Sequence, residues 1–162
     1  VGAYVFHARS ASGLVADASA ISPEPACVTV SVLSREGDGT ASPELLAVVD
    51  KALNDENVRP VADRVTVQSV EIVNYAIDAE LYLFPTPESE PIEAAARERI
   101  ARYVKEQHRI GRDIRLSAIY AALHVEGVQR VELKSPAKDI VISNTQASFC
   151  TDVTVTVGGS DE

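Results

Sequence analysis

Methionine is absent from the sequence, which opens at Val1. The first residues, "AYVFHARSA", read as the last turns of a helix whose beginning is missing, so the expectation is a piece cut from a longer protein. Cysteine is scarce. Cys27 and Cys150 stand far apart, without a CxxC spacing or a neighbouring histidine, which argues against a disulfide framework or a zinc site and for two ordinary thiols in a reducing compartment. Positive charge is short as well: 15 Lys and Arg face 24 Asp and Glu, for a formal net charge of -9. The cationic surplus that neutralises phosphate is therefore missing, and nucleic acid is disfavoured as a partner. No apolar run approaches the roughly 18 residues a membrane span needs, and no basic-then-apolar leader is visible.

What is there is a patterned globular chain. At 162 residues and 46% hydrophobic content it can bury a core as one domain or as two small, closely packed lobes. "GLVADASAIS" and "ACVTVSVLS" read as two strands joined by "PEP", with Val28, Val30 and Val32 on one face of the second. After "REGDGTAS", Ser42 as N-cap, Pro43 at the first helical position and Glu44 in the first turn predict a helix to about Asn54, with Leu45, Leu46, Val49 and Leu53 as its buried stripe. "DRVTVQSVEIV" and "YAIDAELYLFP" read as an antiparallel pair. A phase change between Val67 and Val70 predicts a bulge near Gln68 and Ser69, and Tyr75, Ile77, Ala79, Leu81 and Leu83 make a half-buried face.

From Pro91 to Arg109 the period becomes helical, with Ile92, Ala96, Ile100, Tyr103, Val104 and Gln107 on one side. Gly111 is expected to stop this helix, and a shorter one to run from about Ile114 to Leu123. "VQRVELKS" and "CTDVTVTV" read as strands, "DIVIS" as a further short one, and "GGSDE" as a loose terminus. A helix, a glycine (Gly13, Gly127), a strand and "SP" occur twice, a weak internal repeat. The expected fold is α+β, with mainly antiparallel sheets and helices packed on one face. Its expected divisions are 1–25 (helix end and first strand), 26–110 (βαββα lobe), 111–158 (helix-strand-strand lobe) and 159–162 (tail).

The densest chemistry lies in "EQHRIGRDIR", where His108, Arg109, Arg112, Asp113 and Arg115 could form an acid/base and anion-clamp site. Helix-end physics accounts for them more economically. Cations favour the last turn, glycine the C′ position, and aspartate the next N-terminus, which predicts His108 and Arg109 facing the carbonyls, Gly111 as the break and Asp113 as a cap. "REGDGT" lacks the Gly-Lys-Ser/Thr of a P-loop and the closing glutamate of a calcium loop, so Gly39 belongs to a turn feeding the helix capped by Ser42. His7, His124 and Glu126 have no metal-ligand spacing, and no nucleophile elbow or Cys-His motif occurs. No catalytic, cofactor-binding or metal residues are assigned. The structural landmarks are Gly39, Ser42, Gly111, Asp113, Tyr120 and Gly127.

The run "YVKEQHRIGRDIRLSAIYAALHVEGVQRVELKSP" resembles the baseplate J-like proteins of contractile-tailed bacteriophages. The resemblance rests on Gly111, Asp113, Ser117, Ile119, Tyr120, Gly127, Val128, Val131 and Leu133, and extends over "VTVSVLSREGDGTASPELLAVVDKALNDENVRPVADRVTV" and "EIVNYAIDAELYLFP". It implies the C-terminal portion of a non-enzymatic wedge component of a tail baseplate. Its partners would be other wedge proteins and copies of itself, and it would reside in the virion tail after assembly in the bacterial host cytoplasm. A headless contractile injection system would use the same fold. A small acidic α+β enzyme using His108, Asp113, His124 or Glu126 is the competitor from another class.

Overall fold

The computed structural model describes residues 2–55, 63–85, 87 and 89–159. Along the chain run α1 (Gly2–Ser10), β1 (Val15–Glu24), β2 (Cys27–Ser34), α2 (Pro43–Leu53), β3 (Arg64–Ser69), β4 (Glu71–Leu83), α3 (Ser89–Gln107), α4 (Leu116–Leu123), β5 (Val128–Ser135) and β6 (Gln146–Gly159). The class is α+β, as expected. Each of the two three-stranded sheets is mixed, however, rather than mainly antiparallel.

The first sheet has the order β1-β2-β3. β1 and β2 form the expected hairpin, turned at Pro25 and Ala26, where Ala26 takes the positive φ of 61° that a type II turn places after its proline. β3 lies parallel to β2, from Cys27 opposite Arg64 to Val32 opposite Ser69, and is not the antiparallel partner of β4. A parallel neighbour needs a crossover, and α2 provides it. In α2, Ser42 accepts a hydrogen bond from Leu45 N, Pro43 opens the helix, and Leu45, Val49 and Leu53 are buried with Tyr4, Ala8, Val28, Val30 and Val32. The phase change near Gln68 is not a bulge. The pairing runs on to Val70, whose amide donates to Val32 O, and Glu71 N then turns to Thr145 O, so the chain leaves the sheet there.

The second sheet has the order β5-β4-β6. Tyr75, Ile77, Ala79, Leu81 and Leu83 of β4 are buried, as their alternation predicted. Val128 of β5 and Val155 of β6 share that core, and Ala96 and Ile100 of α3 with Ile119 and Leu123 of α4 complete it. Full burial of each larger side chain contributes roughly 1.5–3 kcal/mol. β5 runs antiparallel to β4. On the other side, Thr151 Oγ1 donates to Tyr75 O and Thr156 Oγ1 to Ala79 O, so contacts advance together along β6 and β4. "DIVIS" forms no strand; Ile140 makes one isolated bridge with Ile114.

The chain divides into two compact units. One comprises Val1–Val73, Arg109–Gly111 and Ile142–Ala147, the other Asn74–His108, Arg112–Val141 and Ser148–Glu162. This differs from the expected divisions at 25 and 110. α1 and β1 share a core with β2 and α2, and α3 shares one with α4. The helix-glycine-strand repeat also diverges in pairing: β1 joins the strand after it, whereas β5 joins β4, which precedes it. "GGSDE" begins inside β6 at Gly158 and Gly159, and residues 160–162 lie outside the described residues.

Gly127 has φ +97°, and a Cβ there would lie 2.5 Å from Ile92 Cδ1 and 3.0 Å from Cγ1. Gly127→Ala should therefore destabilise by about 1–3 kcal/mol, from left-handed strain and overpacking. Ser42→Ala, which removes the N-cap, should cost about 1 kcal/mol. Urea unfolding of both variants beside the parent checks this, and unchanged midpoints would contradict it.

Candidate functional site

The helix junction places its residues differently from the capping pattern. α3 ends at Gln107, four residues before Gly111. Gly111 does take the positive φ of +76° that favours glycine, but it serves a turn after the Ile110–Ala147 bridge and is not the helix C′ residue. His108 does not face the helix carbonyls. Its Nδ1 lies 2.5 Å from Ser148 O, and since a carbonyl only accepts, that nitrogen carries the hydrogen. The ring also stands edge-on to Phe149. Lys105 is the basic residue within the last turn, and Arg112, from beyond the helix end, donates its Nη1 to Glu106 O at 3.2 Å. Arg109 is exposed.

Asp113 does not cap the second helix either. The N-cap position of α4 is Arg115, which makes no side-chain cap. Asp139, from the loop after β5, takes that role: its Oδ1 accepts from Leu116 N at 2.8 Å and its Oδ2 from Arg115 Nη1 at 3.2 Å. Asp113 holds the other side of the same guanidinium, 2.7 Å from Arg115 Nη2. The Leu116 amide and then Arg115 hold the Asp139 carboxyl below its ordinary range. Nothing local in the sequence marks Asp139, because it lies 23 residues beyond the amide it caps.

The remaining landmarks have structural surroundings. Gly37 and Gly39 have positive φ in the turn, where Gly39 N donates to Glu36 O and Thr40 N to Asp38 Oδ1. Tyr120 is exposed, and its carbonyl accepts from the amide of His124, the residue that ends α4. Among the described residues no three His, Cys, Asp or Glu side chains gather as a metal site. Cys27 and Cys150 are unpaired. Burial pushes the Cys150 thiol and its neighbour, the Tyr75 phenol, above their ordinary ranges, so both stay protonated and unreactive at neutral pH. No described helix is long and apolar enough to cross a membrane.

Sequence reasoning missed a charged ladder on the open face of the second sheet. Lys134 Nζ stands 3.2 Å from Glu80, and the Arg130 guanidinium lies 3.9 Å over the Tyr82 ring beside Glu132. These are solvated cross-strand pairs, each of modest value. Gly158 makes room for them, since a Cβ there would lie within 3.0 Å of both Glu80 and Tyr82. The alternation of charge along β5 was the available signal.

The lowered Asp139 pKa has a linkage consequence. Its stabilisation is complete above the ordinary carboxylate pKa and is lost as pH falls through the lowered folded-state value. Asp139→Ala should thus be less stable than the parent at neutral pH, with the difference shrinking as pH drops through the acidic carboxylate range. Thermal unfolding across pH tests this, and a pH-independent difference would contradict the assignment.

With no converging reactive groups among the described residues to define an activity, kinship is the informative comparison. Residues 1–69 match the family described as the Baseplate J-like central domain, and residues 75–156 the Baseplate J-like protein C-terminal domain. The gap between them contains the division at Val73 and Asn74. Baseplate protein J of Escherichia phage P2 is 69% identical over all 162 residues, and the chain spans 54% of that relative's length. A chain in the cryo-EM structure of the anti-feeding prophage (AFP) baseplate, 6-fold symmetrised, shares the fold with a TM-score of 0.59 at 13% identity, over 90% of this chain and 36% of that one. Matched in order by both domains, the chain belongs to the baseplate J-like family.

Proposed function

We propose that the chain is part of a structural component of a phage tail baseplate. It acts by binding other wedge proteins and copies of itself, and it shifts with them when the sheath contracts. The observation that carries this reading is the 69% identity to baseplate protein J of Escherichia phage P2 along the whole chain. The role is mechanical rather than catalytic. In support, His108, Arg112, Asp113, Arg115 and Asp139 are engaged with backbone groups or with one another, and the half-buried Cys150 thiol and the buried Tyr75 phenol are held protonated. The protein resides in the virion tail, after assembly in the host cytoplasm.

Supplying the full-length protein to a P2 phage that lacks its own protein J should restore infective particles, with this chain detected in purified tails by mass spectrometry. A full-length protein that stays out of tails and captures no other tail protein in pull-down would refute the assignment.

A further inference from the structure

The outer edges of the two sheets are defended unequally. β1 carries register irregularities at both ends, with Asp17 and Pro23. β3 has six residues and starts at Arg64. β5 sets Arg130, Glu132 and Lys134 along its length. Irregularity, shortness and charge are the means by which sheets discourage pairing with another chain. β6 ends its sheet with β4 as its one strand neighbour among the described residues, yet from Val153 to Gly159 it reads VTVTVGG, with neither charge nor proline.

Residues 153–157 are also palindromic. About a twofold axis through Val155, Val153 faces Val157, Thr154 faces Thr156 and Val155 faces its own copy. Valine then meets valine on the core side and threonine meets threonine on the outer side, matching the burial of Val155 and the exposure of Thr154 and Thr156. Charge favours a second copy here as well. Two chains of net charge -9 repel over most approaches, but this neutral segment sets no like charges opposite each other. One group stands at the centre. Arg97 Nη2 donates to Val155 O, and this side chain is 48% exposed, so it can turn outward with its i,i+4 partner Glu93.

We propose that the outer edge of β6 pairs antiparallel with β6 of a second copy of this chain, in register about Val155, with Arg97 yielding the Val155 carbonyl to the partner's amide. This rests on the assembly reading and deepens it by naming the surface through which copies meet. The test uses full-length protein in a Cys27→Ser, Cys150→Ser background. Thr154→Cys and Thr156→Cys proteins, mixed and oxidised, should cross-link to dimers, and neither should do so alone, because the opposed positions differ by two residues. Thr154→Lys combined with Thr156→Lys, on exposed positions, should abolish the dimer in sedimentation velocity. Equal cross-linking in mixed and single samples, or a lysine variant that associates like the parent, would overturn the pairing. Protein that enters tails without register-specific cross-linking sinks this inference and leaves the tail assignment standing; protein that cross-links in register but never enters tails does the reverse.

Discussion

Burial of one face of β4 is the constraint on which the second unit depends. Its five alternating side chains from Tyr75 to Leu83 sit at the centre of a sheet with β5 and β6 on either side. A one-residue slip would turn that face to solvent, so the register is strongly specified. Once that face is apolar, α3 and α4 must cover it, and Ala96 and Ile100 of the first and Ile119 and Leu123 of the second do so. The opposite face is then free to carry charge, which it does through Glu80, Lys134 and Arg130. The first unit follows the same logic around β2, whose valines meet α1 and α2.

The helix junction shows how a cluster that looks reactive becomes structural. Its polar groups find partners that are mostly backbone: Ser148 O for His108, Glu106 O for Arg112, the Leu116 amide for Asp139. Each bond satisfies a group at a helix end or a strand end that would otherwise lack a partner. Such ties hold the side chains of the junction in place, because a hydrogen bond to the backbone leaves them little freedom to rearrange.

Chemistry and kinship converge from independent directions. Arg112, Asp113, Arg115 and Asp139 are spent on holding the helix junction, and the family match covers both units in the family's own order of central and C-terminal domains. The boundary between those domains coincides with the division between the two units near Val73, although β4 runs through it without a break. Continuous secondary structure and separate cores are compatible, since a strand can contribute residues to two apolar clusters along its length.

Local pattern was enough to define the elements with strong periodicity or capping. The alternation of β4, the Ser42–Pro43–Glu44 start of α2 and the apolar stripe of α3 were legible because each depends on neighbours within a few residues. What only the tertiary structure decided was who pairs with whom. β3 lies beside β2 because α2 carries the chain over, Asp139 caps a helix 23 residues before it, and Gly111 turns the chain beside Gln146 rather than ending α3. Periodicity reports which face of an element is apolar; the partner for its remaining hydrogen bonds comes from wherever folding brings a complementary group, and that is not written within one segment.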